Sequence, residues 1–570
     1  MTMNASRRKF LKRLPAALSL PFTLGGIPFN VMGENALTKM ARASIDNDRV
    51  LIILQLHGGN DGLNCLIPIE NYDLYYSRRA NIAIPARNSL RKYIPLDSQL
   101  PSDQQVGLHP DMLAMKELYD LGKVTFVQGV SYKNNNGSHF RGRDILFMGG
   151  AHDEYLQSGW VGRYLQQEIA PSQYPQDFPN ASMRDPLAIE MGSDVSLIFH
   201  QEGNIPTSIS INDPQAFARL VGELEGFLDE EIDPRGVPPE FLRNSTYFDE
   251  LDWILSLEDK SKDYAERLAQ VYEAGGPSTV TYPEIYPFNA PKGSLRNPLT
   301  PQLKMIAQLL AGGCKTKVFL IKAGGFDTHA EQVESYDPTM GVHAALLYHI
   351  SAAMSAFQKD LKSRGLEDRV LTVTTSEFGR RVYSNGSYGT DHGTGGPMFI
   401  FGKGAHGGVV GKIPDLTKAN VEMQYDYRVI YANIMKDWLL VPDDRLNVIF
   451  PGIMTAQGTS DGVTFEALPV ASSVITGVSH FVDSRYALDD CYPNPAKEKV
   501  TVKFRLNHSQ YVSIRMYDPS GKQVATIVDG QFEPGVHEVD TDVSTLRAGL
   551  YKIDMKTGLF RDFKTLVVTK

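Results

Sequence analysis

Along the middle of the chain one arrangement recurs: a β-branched or Leu-rich run ending in a Gly-rich polar loop. Val50-Leu51-Ile52-Ile53-Leu54-Gln55-Leu56 runs into His57-Gly58-Gly59-Asn60-Asp61-Gly62, and the run from Val124 to Val130 into Asn134-Asn135-Asn136-Gly137-Ser138-His139-Phe140. Val318-Phe319-Leu320-Ile321 leads to Gly324-Gly325-Phe326-Asp327-Thr328-His329, and Val370 to Thr375 leads to Ser376-Glu377-Phe378-Gly379-Arg380-Arg381. Continuous apolar runs of this length predict strands buried on both faces, as in a parallel sheet. Between them, helical spacing of apolar residues predicts helices over 111–121, 301–311 and 343–363. Strand and helix alternation of this kind implies an α/β fold, a large and mainly parallel sheet with helices on both faces.

The pattern changes near Leu488. Val500-Thr501-Val502-Lys503-Phe504, Val512 to Tyr517, Lys522-Gln523-Val524 and Gly549 to Ile553 alternate with period two, broken by Pro-Ser-Gly and Glu-Pro-Gly turns. That predicts a small antiparallel β-sandwich. The N-terminus differs again. Ser6-Arg7-Arg8-Lys9-Phe10-Leu11-Lys12 precedes an uncharged stretch from Leu14 to Val31. Basic then apolar is a targeting signal, and Pro15, Pro21, Gly25, Gly26 and Pro28 make that stretch a poor spanning helix. No transmembrane anchor is expected in the mature protein. The resulting division is 1–45 signal peptide and linker, 46–470 α/β domain, 471–487 linker and 488–570 sandwich.

Composition narrows the function. With 570 residues, 42% hydrophobic and 22% charged, the chain reads as globular, and its net charge of -9 argues against nucleic acid as a partner. The three cysteines, Cys65, Cys314 and Cys491, have no metal or framework spacing; Cys65 and Cys314 are expected as buried small apolar side chains.

In open α/β sheets the ligand site lies beyond the carboxyl ends of the strands, where all four polar loops are expected. A fifth, Gly389-Thr390-Asp391-His392-Gly393-Thr394-Gly395-Gly396, precedes the apolar run from Pro397 to Phe401 and is expected to close the same pocket. Asp61, Asp327, His329, Glu377, Asp391 and His392 would then meet. Carboxylates mixed with imidazoles form the donor set of hydrolytic Zn or Mn sites. Ser138, at an expected helix start, is a candidate nucleophile beside amides that favour an anion, and Arg380 or Arg381 could clamp a tetrahedral anion. Each residue has a structural reading as well. Asp61 and Ser138 would be caps, His329 and His392 would bond backbone, and the arginines would lie on a solvated face. His343, His349 and the stretch from Met354 to Phe357 fall at helical spacing and are expected in a helix, not at a metal. The run Asp229-Glu230-Glu231 is expected as a solvated helix end, and 153–276 as an inserted lid.

Three resemblances attach to these residues. The arginine pair with Phe-Leu-Lys resembles the twin-arginine export motif, which implies the twin-arginine translocase as a partner. Tyr492-Pro493-Asn494-Pro495-Ala496, the turn Tyr517 to Lys522, and Leu546-Arg547-Ala548-Gly549-Leu550-Tyr551 resemble the C-terminal sorting domain of the type IX secretion system. That implies a Bacteroidetes-type source and export to the cell surface or medium. The motifs of the middle domain, His57 to Gly62, Ser138-His139-Phe140, Gly325 to His329, Ser376 to Arg380 and Asp391 to Thr394, resemble the domain of unknown function 1501. That family is placed in the alkaline phosphatase and sulfatase superfamily. The resemblance implies an alkaline phosphatase-like sheet and a divalent cation (Zn, Mn, Mg or Ca), one or two ions. It puts Asp327, His329 and His392 at one ion, and Asp61, Glu377 and the nucleophile Ser138 at the other. It also implies a small anionic phosphate or sulfate ester as substrate. Glu377 is followed by Phe378 where the superfamily has an imidazole, and His57, His139 or Asp391 is left to compensate. The alternative is a noncatalytic surface protein that binds glycans or protein partners on a degenerate hydrolase scaffold.

Overall fold

The computed structural model describes residues 48–87, 90–192, 194–213, 262–472, 487–488, 491–506, 510–518, 522–533, 535–557 and 561–569, with two-residue strands at 23–24 and 27–28. The export motif, the acidic run 229–231, residues 214–261 of the expected lid and most of the 471–487 linker lie outside the described residues.

The first long apolar run forms β1 (Val50–Leu56), every residue of it buried. It is followed by β2 (Val124–Ser131), β3 (Ala188–Met191), β4 (Ser208–Ile211), β5 (Val318–Ala323) and β6 (Val370–Thr375). A hairpin, β7 (Arg380–Ser384) and β8 (Thr390–His392), stands outside the main sheet. Then come β9 (Gly396–Phe401), β10 (Gly408–Val410) and β11 (Tyr425–Asp426). The sheet order is β4-β3-β5-β1-β6-β9-β2-β10, with β11 also on β2. All its pairings are parallel except the two that β9 makes with β6 and β2.

Alternation within β1 splits the core in two. Ile52, Leu54 and Leu56 pack with α1 (Leu113–Asp120), α4 (Leu299–Ala311) and α5 (Val342–Ser363). Leu51 and Ile53 face the opposite layer, with α2 (His139–Met148), α3 (Trp160–Ile169) and α6 (Tyr427–Asn433). Successive strand side chains point to opposite faces, so one seven-residue strand serves both cores. The expected helices correspond to α1, α4 and α5 within two residues at each end, and His343, His349 and Met354 are buried in α5. The 153–276 region departs from a simple lid: it supplies α3, β3 and β4, two of them parallel strands of the main sheet.

Near the C-terminus, strands Lys499–Leu506 and Gly535–Asp542 form one antiparallel sheet with the short Ala487–Leu488. Strands Gln510–Tyr517, Gln523–Phe532, Gly549–Thr557 and Arg561–Val568 form another. Val502, Phe504, Ile514, Met516 and Ile553 belong to one buried cluster, the core of the expected sandwich. The three cysteines are free and buried. Among the described residues, no helix is long and apolar enough to cross a membrane.

Candidate metal centre

Four parallel strands, β1, β2, β5 and β6, end on one rim of the sheet, and the loops after them carry the polar motifs. The loop after β5 brings Asp327 and His329; the β7–β8 hairpin brings Arg380, Asp391 and His392; α2 begins with His139. Asp327 is the hub. Its Oδ1 lies 3.2 Å from His329 Nε2 and 3.3 Å from His392 Nε2, and the two imidazole nitrogens are 2.8 Å apart. His139 Nε2 is 3.4 Å from Asp327 Oδ2, and neither ring nitrogen of His139 makes a hydrogen bond. His139, Asp327 and His392 each offer a ligand atom within 4.8 Å of the others.

The surroundings aim these rings. The Nδ1 of His392 is 2.7 Å from the Gly137 carbonyl, which accepts its proton and fixes the ring so that Nε2 faces Asp327 and His329. Phe378 packs against both His392 and His139, at centroid distances of 4.3 and 4.8 Å. The phenyl ring at the position where an imidazole was sought therefore holds two other imidazoles in place. Asp391 reaches His329 Nδ1 at 3.5 Å from outside the cluster. A hydrogen bond from Asn385, aided by contacts with His329 and the Arg381 charge, holds its carboxyl below the usual carboxylate range. Burial pushes the Asp327 carboxyl up, but the Arg380 hydrogen bond and charge, helped by His392 and His139, outweigh it and keep it ionised well into acid. Burial depresses the His139 imidazole, with Asp327 opposing, so the ring is a neutral donor at neutral pH.

Other residues expected at the site have different occupations. Asp61 is buried away from the cluster in an ion pair with Arg79, whose Nη1 reaches both carboxylate oxygens at 2.9 and 2.8 Å, and it accepts from Gln332 at 2.7 Å. Its lone pairs are engaged by Arg79 and Gln332, and the structure does not bring it to the cluster. Glu377 is likewise no member of the cluster. It lies 2.5 Å from His57 Nδ1 and accepts from the Gly58 amide at 3.0 Å. That bond raises the His57 pKa, with burial opposing, and the imidazole is half exposed. Arg380 is only 1% exposed and spends its donors on the protein. These acceptors are Gly59 O at 2.8 Å, Thr390 O at 2.9 Å, Phe326 O at 3.0 Å, Asp327 Oδ1 at 2.6 Å, and Gly58 O. A guanidinium so occupied cannot grip a substrate anion; Arg380 is a clamp on three loops. Ser138 is the N-cap of α2 and accepts from the Arg141 amide at 3.3 Å, which leaves its own O–H proton to donate. Sequence reasoning missed Arg79 and Gln332, neither of which lies in a motif, and the Glu377–His57 pairing.

Residues 302–449 match the model of the family described as protein of unknown function DUF1501, and residues 490–569 match the secretion system C-terminal sorting domain. The second match marks a chain exported through the type IX system to the cell surface or beyond. No curated protein matches the chain. Among solved structures, a protein of the alkaline phosphatase superfamily from Vibrio parahaemolyticus is 9% identical, with 84% of this chain and 81% of that chain covered at a TM-score of 0.30. The PsFucS1 sulfatase from Pseudoalteromonas sp. is 13% identical, with 89% and 86% covered at 0.31. The phosphonate monoester hydrolase SpPMH from Silicibacter pomeroyi is 9% identical, with 91% and 88% covered at 0.28. Likeness at this level carries no argument about activity.

Proposed function

We propose that this exported protein is a hydrolase of phosphate or sulfate esters that uses one divalent cation, held by Asp327, His329 and His392 with His139 beside them. The observation that carries the reading is the triangle of donor atoms. A tetrahedral ion with ligands at about 2.0–2.1 Å has ligand–ligand edges of about 3.3 Å. Asp327 Oδ1 stands at 3.2 and 3.3 Å from the two imidazole nitrogens, distances that match that edge, while the nitrogens themselves share a 2.8 Å hydrogen bond that an ion would replace. Two imidazoles and a carboxylate suit Zn or Mn better than Mg or Ca, which prefer all-oxygen sets. One ion is favoured over two because Asp61 is occupied by Arg79, Glu377 by His57, and Phe378 stands where a further imidazole would be needed.

When bound, such an ion supplies Lewis acidity, polarising the ester and making a neighbouring hydroxyl more acidic. The protein's own residues do the rest. Glu377 fixes His57 by its Nδ1, so that Nε2 is left to carry a proton to or from the leaving oxygen. Ser138 keeps its proton at the rim and is the candidate nucleophile, with water as the other. Arg380 orients Asp327 without touching substrate. In this reading the α/β domain, 46–470, carries the activity. Residues 1–45 address the chain to the twin-arginine translocase, and 488–570 address it to the type IX machinery.

The test is metal analysis of the mature protein by mass spectrometry, with turnover of aryl phosphates, phosphodiesters and aryl sulfates in Zn, Mn or Mg. One ion per chain and hydrolysis of one ester class are expected, both lost in Asp327→Asn and His392→Ala. A protein that retains no ion and turns over none of the esters would refute the proposal. The reduced donor set also supports a second reading, a binding protein on a former hydrolase scaffold. Retained metal without turnover in any ester class would favour it.

A further inference from the structure

Behind the cluster, one buried amide ties together the two loops that carry the imidazoles. We infer that Gln332 is a positioning residue for the metal centre, and that it sets the spacing of His329 and His392 by holding the residues beside them. The inference rests on the metal-centre reading above.

Gln332 is fully buried. Its Oε1 accepts from Thr328 Oγ1 and from Thr390 Oγ1, both at 2.9 Å. Thr328 sits between Asp327 and His329, and Thr390 is two residues before His392. One carbonyl oxygen with two lone pairs is thus shared between the β5 loop and the β7–β8 hairpin. The Thr390 amide also donates to the Thr328 carbonyl at 3.1 Å, so side chain and backbone fasten the loops at the same point. The other end of the amide is anchored: Nε2 donates to Asp61 Oδ2 at 2.7 Å, and Asp61 is locked by Arg79. Arg79 in turn donates to the carbonyls of Val382 and Arg381 on β7.

The fork has a definite polarity. Arg79 and the Asp61 carboxylate decide which end of the Gln332 amide is the donor, so Oε1 must face the two threonines. Both hydroxyls then donate to one acceptor, Thr328 from the same loop as Gln332 and Thr390 across from the hairpin. All five side chains are almost wholly buried, and Thr328 at 3% is the most exposed of Gln332, Thr328 and Thr390. Water cannot substitute easily for any lost bond. Groups hydrogen-bonded directly to metal ligands are worth 10–100-fold in affinity when removed; these act one step further back, through the backbone, so the lower end of that range is expected.

The measurement is zinc affinity of the mature protein by titration calorimetry, with the melting temperature of the metal-free protein taken alongside. Thr390→Val and Thr328→Val keep shape and remove only the hydroxyl. Each is expected to weaken zinc binding about tenfold, with Thr390→Ser and Thr328→Ser restoring it. Gln332→Met should weaken it at least as much, and adding Thr390→Val to Gln332→Met should cost little more, because both break one coupled unit. A purely structural amide would lower the melting temperature and leave zinc affinity within twofold of the parent in all these variants. That result would overturn the inference while the metal site stood. A parent protein that binds neither zinc nor manganese would overturn both.

Discussion

Replacing Arg380 with Met keeps most of the side-chain volume and removes every donor. Four carbonyls, of Gly58, Gly59, Phe326 and Thr390, lose a partner, and all four residues are buried. A buried polar group left unpaired costs about 1–3 kcal/mol. Phe326 O keeps the Thr328 amide as a partner, so three carbonyls are left bare; even at the lower bound the loss is about 3 kcal/mol, a large part of the roughly 5–15 kcal/mol that holds a domain folded. Arg380→Lys retains the charge but offers three donors from a single nitrogen, which cannot span the loops after β1 and β5 and the hairpin together. About half the loss, roughly 1.5 kcal/mol, is expected for it. Guanidinium unfolding of the mature, metal-free protein measures both. A residue serving to bind the substrate anion would behave otherwise, with KM raised and unfolding midpoints unchanged. Lys at 380 with full stability and a raised KM would refute the clamp and return Arg380 to the substrate.

His343 is buried beside Asn60, 3.0 Å from its Oδ1, and burial takes its pKa from 6.5 down to about 4, against the pull of Asp61. Between those values the unfolded chain holds the proton and the folded one does not. Stability is therefore whole above pH 6.5 and falls as pH drops towards 4, by about 3 kcal/mol in all; His343→Gln should flatten that part of the unfolding curve against pH. Gly58 has φ +124°, and a Cβ there would strike the Asp327 backbone. Gly58→Ala should displace Asp327 and lower zinc affinity more than tenfold, read by the same calorimetry, whereas Gly122→Ala, at an open left-handed turn, should cost stability only. Deleting residues 490–569 should stop export at the periplasm, as fractionation would show, and leave the metal content of the remaining chain unchanged.

Much of this was legible in the residues because the signals were periodic. Val50 to Leu56 has no polar break except Gln55, so it had to lie in a sheet covered on both sides, and α5 carries its apolar spacing for six turns. The rim placement of Asp327, His329 and His392 followed from where those strands end. What stayed hidden was pairing at a distance. Nothing in the Tyr72–Arg79 stretch marks Arg79 as the partner of Asp61, and a carboxylate with an unseen guanidinium looks the same as a free ligand. Glu377 misled for the same reason, since His57 lies 320 residues earlier and both sat in loops assigned to one ion. The strands β3 and β4 are only four residues each, too short to stand out from the irregular chain around them.

The reversed strand β9 has a consequence of its own. Because it runs against β6 and β2, the chain leaves β6 and re-enters the sheet at the same rim, and residues 376–395 never visit the far side. That stretch, with Glu377, Phe378, Arg380, Asp391 and His392, is one continuous insert between two adjacent strands. Lengthening or exchanging its tip at 385–389 would reshape the mouth of the centre and leave the hydrogen-bonded ladder beneath it in register.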